Sequence, residues 1–196
     1  MTTIAANYRK ELALGKYLFI LILIWLSWKG IIWVLGEELI PIEQRMFPEL
    51  SAVWESFNVW LVTLLVNTSH FILQVLGYQV YASGRDLWIG QVPGVNVGNY
   101  CLGLQLMYYF LLLMLVSGFN RKYKAVAMIG GILLINALNI VRIAGLTVIS
   151  FEAPKYLFLA HDHLFNILVF VSLFLFVYFL IKYGDQQFLK ESQTPS

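Results

Sequence analysis

Residues 125–150 read AVAMIGGILLINALNIVRIAGLTVIS, 26 positions that carry a single charge, Arg142. About 20 apolar residues take a helix across the hydrocarbon of a bilayer, so the stretch predicts a membrane span and makes lipid the solvent of this fold. Arg142 is the exception. An arginine inside a span is costly unless it faces protein or water, which marks it as a functional candidate.

The rest of the chain agrees with a membrane setting. Of 196 residues, 60% are hydrophobic and 12% charged, too little polar surface for a soluble fold. The net charge of +2 and the scatter of Lys and Arg in short clusters exclude a nucleic-acid-binding surface. One cysteine, Cys101, forms no internal disulfide, so any thiol role is its own. No Cys/His spacing reads as a structural zinc site.

Three further segments are long and apolar enough to cross: Lys16 to Gly36, Cys101 to Gly118 and His163 to Tyr183. The first has the charged-then-apolar order of a secretion signal. Its core is too long for one and no small-x-small cleavage site follows, so a retained helix is expected. Ser51 to Gly77 carries Glu55, Asn58, Asn67, Ser69 and His70 among apolar residues at helical spacing, and either spans or lies flat.

Charge placement separates those two readings, because short cytoplasmic loops are enriched in Lys and Arg. With Arg9-Lys10-Lys16, Arg121-Lys122-Lys124 and Lys182/Lys190 all cytoplasmic, the crossings between Lys16 and Arg121 must be even in number. The Lys16 and Cys101 spans supply two, so Ser51 to Gly77 is read as an amphipathic or re-entrant helix on the outer side. Alternation around Ser83-Gly84-Arg85-Asp86 predicts a small extracytoplasmic β-hairpin.

The expected architecture is therefore an all-α integral membrane protein with about four transmembrane helices, one outer-face helix and one small hairpin. A single membrane-embedded domain covers residues 1–183. A polar cytoplasmic tail, 184–196, follows, and both termini are cytoplasmic.

On this topology three distant positions reach one face. Cys101 opens a helix at the outer interface. Arg142 lies about 26 Å along its own helix, in the outer leaflet. His161 and His163 enter the last span from outside. Asn139 and Asn136 precede Arg142 at steps of three and share its helix face. A helix N-terminus favours a thiolate; a thiolate, a proton-shuttling histidine and a cationic oxyanion partner are the equipment of acyl transfer.

Plainer readings stand beside these. Arg142 snorkels to the headgroups while the asparagines hold helices together. Cys101 is an inert apolar residue. The histidines are a solvated pair with Asp162 as a helix cap, or metal ligands that would need Glu152 as a third. His70 belongs to the polar face of its helix, and Lys29 in the first span reaches toward the same groove.

The combination of Cys101-Leu102-Gly103 at a helix start, Asn139-Ile140-Val141-Arg142 in the next helix and His161-Asp162-His163-Leu164-Phe165 at a later entry resembles the exosortase and archaeosortase family of membrane cysteine transpeptidases. Upstream, Leu76-Gly77-Tyr78-Gln79-Val80, the Gly84-centred hairpin and Val97 look like the family's approach to its cysteine. The resemblance covers roughly Ser51 to Tyr183. Asn99 stands where exosortases usually carry an acidic residue, Leu102 where a small one is usual, and Gln105 where many have Arg. These departures match a divergent branch similar to the short bacterial members, whose His-Asp-x-Leu-Phe run favours His161 over His163.

The resemblance implies an enzyme of a bacterial inner membrane, with its active site on the extracytoplasmic face. It would cleave exported proteins that end in a recognition motif, a transmembrane helix and a basic tail. Cys101 would form a thioester, Arg142 would stabilise the tetrahedral intermediate and His161 would move the protons, with His163 as the alternative and Asn139 in support. No cofactor, metal or nucleic acid enters this chemistry; the partners are the exported protein, the bilayer and a lipid or cell-surface acceptor. Two rivals remain. One is a non-catalytic membrane subunit assisting polysaccharide or protein export. The other is a histidine-ligated haem or metal protein, in which only His70 could partner the His161/His163 pair.

Overall fold

The computed structural model describes the backbone of residues 2–35 and 41–191, and the side chains of 19–35, 41–121 and 123–182. The chain forms two units, Met1–Trp54 and Glu55–Ser196. The first contains α1, Thr2–Leu35, whose apolar part, Phe19–Leu35, coincides with the first expected span. Gly36 lies outside the described residues. Lys29 has a local explanation: its Nζ sits 5.9 Å from the ring centroid of Trp25, four positions back on the helix, where the aromatic face attracts the cation. At the end of α1 the carbonyl of Leu35 accepts hydrogen bonds from Ser51 Oγ at 2.7 Å and Arg45 Nη1 at 3.4 Å, satisfying a group that the helix leaves open.

The helix α2, Pro48–Val75, carries the chain into the second unit. There follow β1 (Val80–Ser83), β2 (Asp86–Ile89), β3 (Val95–Asn96), a 3-10 turn (Asn99–Leu102), α3 (Leu104–Val116) and α4 (Arg121–Glu152). A further 3-10 turn (Pro154–Tyr156), the single turn α5 (Leu157–Leu159), a π-helical turn (Ala160–Leu164) and α6 (Phe165–Glu191) complete the order. Among the described residues, four stretches are long and apolar enough to cross a membrane: Pro48–Val75, Asn99–Val116, Tyr123–Glu152 and Pro154–Lys182. The all-helical membrane architecture expected from composition is what the chain adopts.

The membership of that set bears on one expectation. Most of the Ser51 to Gly77 segment, read above as a surface or re-entrant helix, lies in the unbroken 28-residue helix Pro48–Val75, about 42 Å long, which has the dimensions of a span. Only charge parity argues for keeping it at the surface. Its buried face is continuous with the main core: Leu61, Val62, Leu65, Val66 and Leu73 cluster with Val80, Leu87 and Ile89 of the sheet and with Ile143 and Ala144 of α4. Ser69 Oγ donates to Ile140 O at 3.4 Å, and His70 Nε2 donates to Val80 O at 3.1 Å.

Helices α3 and α6 each pack antiparallel against α4. Near the start of α4, Lys124 Nζ donates to Leu115 O at 2.7 Å and the Tyr123 hydroxyl donates to Leu180 O. Near its other end, Gly145 faces Phe165: a Cβ there would lie 2.5 Å from Phe165 Cζ. Between apolar helices in lipid, such close approach supplies the packing that a hydrophobic effect cannot. The basic residues Arg121, Lys124 and Lys182 thus gather at one end of the α3/α4/α6 bundle. The Cys101 turn, Arg142 and His161 gather at the other.

The predicted hairpin is present and enlarged. Ser83 pairs with Asp86 across the two-residue turn Gly84-Arg85, and Gly84 takes φ +59°, the left-handed conformation that a tight hairpin turn asks of its first residue. A short third strand joins it, with Leu87 opposite Val95 and Asp86 opposite Asn96. The sheet lies against the end of α4 that carries Arg142, where Ser150 Oγ donates to Pro93 O at 2.7 Å and the Tyr78 hydroxyl to Glu152 Oε1 at 2.8 Å. The polar tail begins inside α6, which continues to Glu191; residues 192–196 lie outside the described residues.

Candidate functional site

Arg142 points from α4 to the π-helical turn at the entry of α6. Its Nη2 lies 3.2 Å from His161 Nε2, while His161 Nδ1 lies 2.6 Å from Asp162 Oδ1. The donor inventory fixes the protons. A guanidinium only donates, so Nε2 accepts; an ionised carboxylate only accepts, so Nδ1 carries the hydrogen. The imidazole is thereby held as one neutral tautomer between a cation and an anion. Arg142 Nε is buried and has no hydrogen-bond partner among the described residues, which leaves the guanidinium with an unused donor inside the protein.

The π-helical turn makes this alignment. One wide turn spans Ala160–Leu164, a distortion that helices often carry at functional sites. Asn166 Nδ2 donates to Asp162 O at 2.8 Å, occupying a carbonyl within the irregular turn. His161 faces Arg142, whereas His163 is exposed and has no hydrogen bond among the described residues.

Cys101 occupies the 3-10 turn rather than the first turn of α3. Its backbone N–H bonds Gly98 O at 2.9 Å. Gly103, with φ +69°, then redirects the chain into α3, a left-handed step that L side chains resist. Asn139, only 4% exposed, donates from Nδ2 to Leu102 O at 2.8 Å. A Cβ on Gly103 would come 2.8 Å from that same nitrogen. Asn139 therefore ties the cysteine turn to α4 one helical turn before Arg142.

Upstream, Arg85 reaches from the hairpin turn to the same segment. Its Nη1 donates to Val97 O at 3.2 Å and to Asn99 Oδ1 at 2.8 Å, and its Nη2 pairs with Glu55 Oε1 at 3.1 Å. The half-buried Cys101 packs against the core cluster that holds Val97, Leu102, Ile143 and Ala144.

The structure thus joins Arg142 directly to His161, and Asn139 to the cysteine turn. Cys101 is hydrogen-bonded to neither Arg142 nor His161. Asn136 turns back to its own helix, donating to Ile132 O at 2.8 Å. His70 uses its Nε2 on Val80 O. Glu152, the third ligand a metal reading needs, accepts from Tyr78, and among the described residues no three His, Cys, Asp or Glu side chains come together. Two participants escaped the sequence reading. Asp162, read as a helix cap, orients His161; Arg85 holds the segment before Cys101.

No curated protein and no solved structure matches this chain. The family model of the transmembrane exosortases matches residues 6–180, nearly the whole of the chain and all three site segments. The chain belongs to the transmembrane exosortase family.

Proposed function

We propose that this exosortase-family protein is a cysteine transpeptidase that cleaves the C-terminal sorting signals of exported proteins and transfers them to an acceptor. The observation that carries this reading is the contact between Arg142 and His161, backed by Asp162 and joined to the cysteine turn through Asn139. An ordered base with a carboxylate behind it, beside a partly buried cation whose Nε is a spare donor, is the constellation nucleophilic acyl transfer uses.

In the proposed reaction, His161 Nε2 takes the Cys101 proton once Arg142 has released it, and Sγ attacks the scissile carbonyl. A C–S bond forms and the carbonyl π electrons move to oxygen, where Arg142 donates to the oxyanion. Collapse breaks the C–N bond, and His161 returns the proton to the leaving amine. The resulting thioester is then attacked by an acceptor amine, hydroxyl or water, with His161 taking its proton; the C–S bond breaks, and His161 hands that proton to the departing Cys101 sulfur. Every electron pair is accounted for without a cofactor.

Sidedness follows from the basic residues. With Arg121, Lys124 and Lys182 cytoplasmic by the positive-inside rule, the opposite end of the bundle faces out of a bacterial inner membrane. Cys101 then sits where a substrate helix emerges from the bilayer, and with α2 kept on the outer side, as charge parity requires, both termini are cytoplasmic. A motif, a transmembrane helix and a basic tail would suit a lateral entry between helices.

The test replaces Cys101, Arg142 and His161 singly by Ala and follows exported proteins by mass spectrometry for uncleaved C-terminal signals. Accumulation in all three supports the reading. Normal processing in Cys101→Ala sinks it and favours a non-catalytic export subunit. A membrane-impermeant maleimide tests sidedness separately: Cys101, the sole cysteine, must label from outside.

A further inference from the structure

We infer that Arg85 is a positioning residue for Cys101, holding the upstream half of the cysteine turn as Asn139 holds the downstream half. The inference rests on the transpeptidase reading only for its consequence in catalysis; the geometry stands without it. The stretch from Val97 to Gly103 is anchored at two places. At its far end, Asn139 bonds Leu102 O and blocks any side chain at Gly103. At its near end, Val97 N–H donates to Arg85 O at 2.9 Å, while the Arg85 guanidinium returns to Val97 O and Asn99 Oδ1. Cys101 lies between the two anchors.

Arg85 is itself aimed by Glu55 of α2. The pair is partly shielded, with side chains 25% and 26% exposed, so water competes with it less than at an open surface. Arginine suits the task because its planar fork serves several acceptors at once in fixed directions; a lysine ammonium keeps the charge without that geometry. A residue needed only to steady the hairpin would not have to reach Asn99, which begins the turn containing Cys101.

The consequence is that loosening Arg85 frees Cys101 without touching Arg142 or His161. The experiment measures the alkylation rate of Cys101 by an impermeant maleimide from pH 6 to 9. It uses full-length protein in membranes, as wild type, Arg85→Gln, Arg85→Lys, Glu55→Gln and Asn139→Ala, with amounts and melting temperatures matched.

Loss of charged hydrogen bonds of this kind should speed labelling about tenfold in Arg85→Gln. Arg85→Lys should restore part of the difference, and Glu55→Gln should show a smaller effect of the same sign. Wild-type rates and an unchanged pH profile in both Arg85 variants overturn the proposal. If Arg85→Gln unfolds, Glu55→Gln and Asn99→Leu carry the test, and wild-type labelling in both overturns it. Substrate processing is scored in parallel. Intact processing in Cys101→Ala with altered labelling in Arg85→Gln removes the enzymatic reading and leaves the positioning role standing.

Discussion

Arg142 Nη2 meets His161 Nε2 at 3.2 Å, and because an arginine cannot accept a hydrogen bond, the contact assigns the histidine's hydrogen to Nδ1. The relationship separates two histidines that lie two positions apart in sequence. His161→Ala is expected to abolish signal processing, whereas His163→Ala, which removes an exposed ring, should leave it near wild type. Arg142→Lys keeps the charge and loses the fork; processing should fall about 10²-fold or more. Pulse-chase of a C-terminally tagged substrate reads all three.

Asp162 should matter through His161 alone. Asp162→Ala frees Nδ1 and lets the ring turn, with an expected loss of about 10²-fold, the scale of a misplaced catalytic group. Asp162→Asn can still accept from Nδ1 through Oδ1 and should retain more activity than the alanine variant. Equal losses in both would mean that charge, not orientation, is the contribution.

Gly103→Ala combines a left-handed backbone with a side chain directed at Asn139. The expected cost is about 1–3 kcal/mol of stability, read as a lowered melting temperature in detergent, together with a changed rate of Cys101 alkylation. Gly98→Ala is the control, since nothing lies within 4 Å of a Cβ there.

Tyr78 gives a pH dependence of definite sign. Its hydroxyl donates to Glu152, which raises the phenol above its ordinary value of 10.0, with desolvation and the nearby negative charge adding to the shift. A group with a raised folded value contributes stability below its unfolded value and loses it as pH climbs through the folded one. Wild type should therefore lose stability relative to Tyr78→Phe only above about pH 10. A difference that appears instead between pH 5 and 8 would assign the effect to another group.

Local signals in the chain carried much of this architecture. The apolar run 125–150 is a helix that encloses it, Gly84-Arg85 is the hairpin turn, and Asn139 and Arg142 share a face because three residues make nearly one turn. What escaped depends on partners far apart or on irregular backbone. Arg85 finds Glu55 thirty positions back and Asn99 fourteen ahead, separations at which periodicity carries no information. The π-helical turn that aims His161 leaves no mark in composition, and the strand Val95–Asn96 is too short to alternate. The reading of Cys101 as the start of α3 missed the left-handed Gly103, which inserts a break where hydropathy is smooth.

The hydrogen bond from Arg142 to His161 also bears on how the proposed acyl transfer would begin. While the guanidinium covers Nε2, the lone pair that would deprotonate Cys101 is taken. On the proposed transpeptidase reading, the base stays blocked until Arg142 is drawn to another acceptor. A substrate would have to win Arg142 for its carbonyl before the base comes free, so the act of being recognised and the arming of the nucleophile become one event.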